Sequence, residues 1–144
     1  MASPVRLAAS EAGFVRAVAR RTWRFFETFV APEDNNLPPD NFQEEPHRGA
    51  AHRTSPTNIG LALTANLAAY DFGYLSTRGV IDRMSATLQA MDKLPRYRGH
   101  FYNWYDTRTL EPPRPMYVST VDSGNLAGHL ITLTAGLHEM AGHE

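Results

Sequence analysis

Phe14, Val18, Thr22, Phe25 and Phe29 recur at helical spacing near the start of the chain, with Val15 and Phe26 beside them. Arg16, Arg20, Arg24 and Glu27 take the other positions. This pattern predicts an amphipathic first helix with one wet face, from about Ser10 to Val30, stopped by Pro32. A second helix begins after Ser55, a good N-cap, with Pro56 at the first helical position. Ile59, Leu61, Leu63, Leu67, Ala68, Ala69 and Phe72 leave it no polar face, so it reads as buried, ending at Gly73. Thr77 can cap a third helix that ends before Pro95. Its apolar stripe is Val80, Ile81, Met84, Leu88 and Met91, and Arg78, Asp82, Arg83, Gln89, Asp92 and Lys93 are expected to stay wet. A fourth helix starts near Asp122 or Ser123. Leu126, Ala127, Leu130, Ile131, Leu133 and Leu137 cover most of its circumference, and Gly124, Gly128 and Gly136 would admit a neighbouring backbone.

The helices therefore alternate outer, inner, outer, inner. Long loops leave the outer helices, Ala31 to Thr54 and Leu94 to Val121, while only a few residues leave the first inner helix. With antiparallel neighbours, both long loops and the free N–H groups of both inner helices fall at one end. Loops of that length are usually functional or disordered, and the paired aromatic and polar residues in these favour function. The expected fold is all-α, a single domain over residues 1–144.

The remaining composition mostly excludes. Hydrophobic content of 42% and charged content of 20% are ordinary for a globular domain. A net charge of −1 gives no basic field, so no nucleic-acid partner is expected. The absence of cysteine rules out disulfide and thiolate chemistry and fits a reducing compartment. Apolar runs stop short of the roughly 20 residues of a membrane span. "MASPVRLAASEAG" lacks the apolar core of a signal peptide. Taken alone, the chain is expected to be soluble and cytoplasmic. "HEMAGHE" imitates a zinc motif, but His138 and His143 are five apart, which turns roughly 140° around a helix. No metal site and no cofactor are expected, and no phosphate loop or nucleophile elbow occurs.

The chemistry-bearing residues lie in the long loops. Asp40, Glu44, Glu45, Asp106 and Asp122 are carboxylates that an acid/base pair for glycoside chemistry could draw on, or simply solvated loop residues. Trp104 and Tyr105 fit sugar-stacking platforms and core lids equally. Arg53 fits a loop-tying ion pair as well as a ligand contact, and Asp122 fits a helix cap as well as a site residue.

"LPPDNFQEEP", "RTSPTNIGLALTANLAAYDFGYLS" and "LPRYRGHFYNWYDTRTLEPPRPMYVSTVDSGNLAGHL" resemble the cyclic β-1,2-glucan synthase family, from about Arg20 to about Leu137. Its large, inner-membrane-anchored bacterial proteins join a glycosyltransferase module to glycoamylase-like and phosphorylase-like modules. The resemblance implies that this chain is the front part of the glycoamylase-like domain linked to chain transfer and cyclisation. That domain is an α/α toroid of paired inner and outer helices, of which four helices form only part. The resemblance further implies that the principal catalytic carboxylates lie mostly downstream. It also implies a β-glucan-contacting role for Arg53, Thr54, Ser55, Asn58, Asn103, Trp104, Asp106, Asp122 and Asn125. The rest of the toroid is the implied partner, and inner helices left uncovered would favour self-association. A complete small glycosidase and a ligand-free helical interaction module are the alternatives.

Overall fold

The computed structural model describes residues 7–142, so the first six residues of the stretch read for a leader, and His143 and Glu144, lie outside the described residues. The chain is mostly helical, with α1 (Ala9–Phe29), α2 (Pro56–Asp71), α3 (Thr77–Lys93) and α4 (Thr120–Gly142). The expectation of an all-α chain needs one correction. Among the described residues, six two-residue strands pair antiparallel within and between the loops: β1 (Phe42–Gln43) with β2 (Gly49–Ala50), β3 (Arg53–Thr54) with β6 (Tyr105–Asp106), and β4 (Arg96–Tyr97) with β5 (His100–Phe101). Strands this short carry too little periodicity to announce themselves.

Local chemistry sets the helix ends. Ser55 Oγ accepts the Asn58 N–H at 3.2 Å, Pro56 follows it, and Gly73 turns the chain away at φ +73°. Ser76, not Thr77, caps α3, because its hydroxyl accepts the Gly79 N–H at 3.2 Å. The fourth helix starts at Thr120, slightly earlier than expected, and Ser119 Oγ accepts the Asp122 N–H at 3.1 Å.

The two inner helices run side by side and parallel. Thr57 meets Asp122 in the first turns, Thr64 meets His129 two turns on, and Leu67 meets Gly136 further along. The near-constant offset in sequence number puts both N-termini at one end. Arg83 joins three helices further along: its Nε donates to Asn66 Oδ1 at 3.1 Å, its Nη2 to the Phe26 carbonyl at 2.7 Å, and its guanidinium lies over Trp23. Expected to be wet, Arg83 is instead half-buried between α1, α2 and α3.

The core gathers Ile59 and Leu63 of α2, Val80, Met84 and Met91 of α3, and Leu126 and Leu133 of α4. It also takes Leu37 and Tyr105 from the long loops, both fully buried. Several expected core positions face outward instead. Ile81 and Leu88 are exposed on α3, where Thr87 and Ala90 complete the buried stripe. On α1, Phe14, Val15 and Val18 are exposed, and only Trp23 is buried. The inner helices are not buried all round, since Leu61 is 48% and Ile131 73% exposed. Among the described residues, nothing lies within 4 Å of a Cβ placed on Gly124 or Gly128, so neither admits a close neighbour there. The close approaches are at Gly60, against His129, and at Gly136, against Leu67. Among the described residues, no helix is long and apolar enough to cross a membrane.

Candidate functional site

β3 and β6 bring the two long loops together, with Arg53 opposite Asp106 and Thr54 opposite Tyr105. Alternation along a strand sends neighbouring side chains to opposite faces. In β6 and the residue before it, this separates two adjacent aromatics. Tyr105 turns inward, fully buried, its hydroxyl donating to the Pro95 carbonyl at 2.7 Å and accepting the Tyr102 N–H at 2.7 Å. Burial, only partly offset by that N–H and by Arg96, pushes its phenol above the usual range. Trp104 turns outward, and the Arg53 guanidinium lies 4.5 Å from the centre of its ring.

From this stack, hydrogen bonds run in two directions. On one side, Arg53 donates from Nε and Nη2 to Asp40 Oδ2 at 3.1 and 2.8 Å, and Asn58 donates to Asp40 Oδ1 at 3.3 Å. On the other, the Asn103 amide is oriented by its neighbours. Its nitrogen donates to Asp122 Oδ2 at 2.7 Å, and its oxygen accepts from Trp104 Nε1 at 2.7 Å and from the Tyr117 hydroxyl at 2.8 Å. Asp122 Oδ1 accepts the Thr57 hydroxyl at 2.6 Å, and Thr57 accepts an N–H of Asn125 at 3.1 Å. One connected set of planar polar groups therefore crosses from the first loop to the first turns of α2 and α4. Arg53, Trp104 and Asp106 line an open cavity of about 440 Å³ beside it, together with Arg114 and Tyr117.

The structure thus brings together Asp40, Arg53, Asn58, Asn103, Trp104, Asp106, Asp122 and Asn125. Thr54 and Ser55 lie beneath them. Both are buried, Ser55 serves as the α2 cap, and Thr54 Oγ1 finds no hydrogen-bond partner among the described residues. Glu44 and Glu45 stand elsewhere, exposed in the β1–β2 connection, where Phe42 stacks on Phe29 of α1.

Asp106 has a structural task. Its Oδ1 accepts the backbone N–H groups of Arg108 and Thr109 at 2.9 and 2.8 Å, closing the turn after β6. Burial alone would raise its carboxyl, but those N–H groups, the Thr109 hydroxyl and the Arg108 charge outweigh it and hold the carboxyl below the usual range.

A second polar cluster, missed from sequence, sits behind the site. His52 Nδ1 lies 2.8 Å from Oδ1 of the buried Asp34, which also accepts a short hydrogen bond from the Thr107 hydroxyl. Arg108 Nη2 lies 2.7 Å from His52 Nε2. A guanidinium can only donate, so Nε2 accepts and the ring proton sits on Nδ1, facing Asp34. These residues tie the two loops from below. Only the adjacency of His52 to Arg53 hints at them in the sequence. Among the described residues, no group of three or more His, Asp or Glu is arranged to hold a metal ion.

No family model matches the chain. The cyclic β-(1,2)-glucan synthase NdvB of Rhizobium meliloti (strain 1021) is 54% identical over 127 residues. That match covers 88% of this chain and 4% of the synthase, so the chain is homologous to one small part of that protein. Among solved structures, a glucoamylase-like protein of Bacteroides fragilis superposes with a TM-score of 0.73 at 20% identity, over 90% of this chain and 32% of its own. The endo-β-1,2-glucanase of Chitinophaga pinensis, solved with sophorotriose and glucose, gives 0.73 at 15% identity, over 87% of this chain and 31% of its own. At these identities the likeness is one of fold. The four helices correspond to part of a glucoamylase-like structure.

Proposed function

We propose that this chain is the glucan-binding front part of an α/α toroid that processes β-1,2-linked glucose chains. In this reading residues 1–144 are one piece of that larger domain, itself within an inner-membrane-anchored glycosyltransferase or transglycosylase. The observation that carries it is the Arg53–Trp104 stack joined through Asn103 to Asp122. A sugar presents an apolar C–H face and a rim of hydroxyls. The indole supplies a flat apolar surface, and the guanidinium, amide and carboxylate supply fixed donors and acceptors around it. The homology to a β-1,2-glucan synthase and the glucoamylase-like fold support the same substrate class.

Binding is better supported than turnover. Asp40, Asp106 and Asp122 each already accept two or more hydrogen bonds from the protein, and Glu44 and Glu45 stand apart. The chain by itself therefore binds sugar without hydrolysing it, the principal carboxylates belonging to the rest of the toroid.

The test is calorimetric titration of the chain with β-1,2-gluco-oligosaccharides, alongside Arg53→Ala and Trp104→Ala. Both substitutions should abolish binding with the circular-dichroism spectrum unchanged. Tight binding retained by both variants would move the site elsewhere.

A further inference from the structure

Two cavities meet at Tyr117. Tyr117 lines both the cavity of Arg53 and Trp104 and a larger one of about 670 Å³. That volume is typical of small-ligand sites. Tyr97, His100, Tyr102, Met116 and Thr120 line the larger cavity with it. Tyr117 is half-exposed but fixed at both ends. Its carbonyl accepts the Asn103 N–H at 2.8 Å, and its hydroxyl donates to the Asn103 side-chain oxygen at 2.8 Å. The residue that orients Trp104 and Asp122 therefore also holds the partition between the cavities.

The chemistry of the larger cavity is selective. Its lining holds rings and hydroxyls but no Asp, Glu, Lys or Arg. Arg98 lies over the Tyr97 ring, 5.4 Å from its centre, and is not part of the lining. A cation would lose its hydration there without gaining a counter-charge, and an anion would meet only the His100 imidazole. A neutral ligand with apolar faces and hydroxyl edges meets rings for the one and hydroxyls for the other.

Resting on the glucan-binding reading above, we propose that this cavity is a second subsite for the same chain, with Tyr117 as the shared wall. A glucan held at Arg53 and Trp104 continues past Tyr117 onto Tyr97 and Tyr102. The subsite then adds affinity only to chains long enough to reach it.

The experiment is calorimetric titration of the 144-residue chain with a β-1,2-linked disaccharide and hexasaccharide, for wild type, Tyr97→Ala, Met116→Trp and Arg53→Ala. Wild type should gain about tenfold in affinity from the shorter to the longer sugar. Removing a platform with Tyr97→Ala, or filling the cavity with Met116→Trp, should erase that gain and leave disaccharide binding within about twofold of wild type. Arg53→Ala should lose both. A length gain surviving in Tyr97→Ala and Met116→Trp would overturn the second subsite and leave the first standing, as would an equal loss of disaccharide affinity in well-folded variants. Failure of folded wild type to bind either sugar would overturn both.

Discussion

A Cβ placed on Gly60 would lie 2.7 Å from Cδ2 and 2.8 Å from Cβ of His129, where α2 and α4 run alongside each other. The imidazole is held there by Thr64, whose hydroxyl lies 3.2 Å from Nδ1. The crowding reaches the stem of the His129 side chain, so rotating the ring cannot relieve it. Gly60→Ala should destabilise the fold by about 1–3 kcal/mol through overpacking. Gly128→Ala has open space, and should instead stabilise by roughly 0.5–1 kcal/mol through helix propensity. Urea melts of the two variants should move in opposite directions, and a Gly60→Ala midpoint at or above wild type would rule out the close approach.

Core truncations should follow burial rather than the inner or outer rank of a helix. Leu63 is fully buried, so Leu63→Ala should cost about 2–5 kcal/mol. Met91, on outer helix α3, is 5% exposed and should cost a similar amount on truncation. Leu67 is only partly buried and should cost less. Equilibrium denaturation that ranks Leu67→Ala above Leu63→Ala would contradict this packing.

Asp106 makes stability depend on acid. Its folded-state carboxyl is held below the usual value, chiefly because the Thr109 and Arg108 N–H groups overcome the cost of burial. Its contribution is therefore fully present above the unfolded value of about 4 and is lost as pH falls through the lower folded value. Asp106→Asn should lower the melting temperature at pH 6 and differ less from wild type at pH 3. A deficit that stays constant between the two would mean that the loss does not come from the charge of the carboxylate.

Exposed apolar side chains on α1, α2 and α4, among them Phe14, Leu61 and Ile131, should make the chain associate with itself. Light scattering at tens of micromolar should report species heavier than 16.1 kDa. Ile131→Asp should shift them toward monomer. A strict monomer for wild type at that concentration would speak against the uncovered inner faces.

The helices were legible because their signals are local. Ser55-Pro56, Pro32 and Gly73 act within a turn of the boundaries they set, and apolar spacing reports which stretches are helical. Ser76 and Thr77 are adjacent hydroxyl residues, and pattern alone could not choose the cap. What sequence could not give was the path of the loops. Leu37 enters the core from a stretch of Asn, Pro and Asp that reads as solvent-exposed. Arg83 looked wet because it is charged, yet a carbonyl on α1 and an amide on α2 await it. Trp104 and Tyr105 could not be told apart until β6 was known, since a one-residue shift of a strand exchanges its faces. Asp34, His52 and Thr107 are joined across 18 and 73 positions, a distance over which no local pattern carries information.

The parallel course of α2 and α4 has an electrostatic consequence. Peptide dipoles add along a helix, leaving roughly half a positive charge at each N-terminus, and neighbouring helices that point the same way set two such ends side by side. Their mutual repulsion opposes the packing. Asp122 sits in the first turn of α4, and its carboxylate accepts from Thr57 in the first turn of α2. One negative charge thus lies between two positive poles and turns their repulsion into a shared attraction. The bundle's unfavourable field is thereby screened at the end where the loops converge.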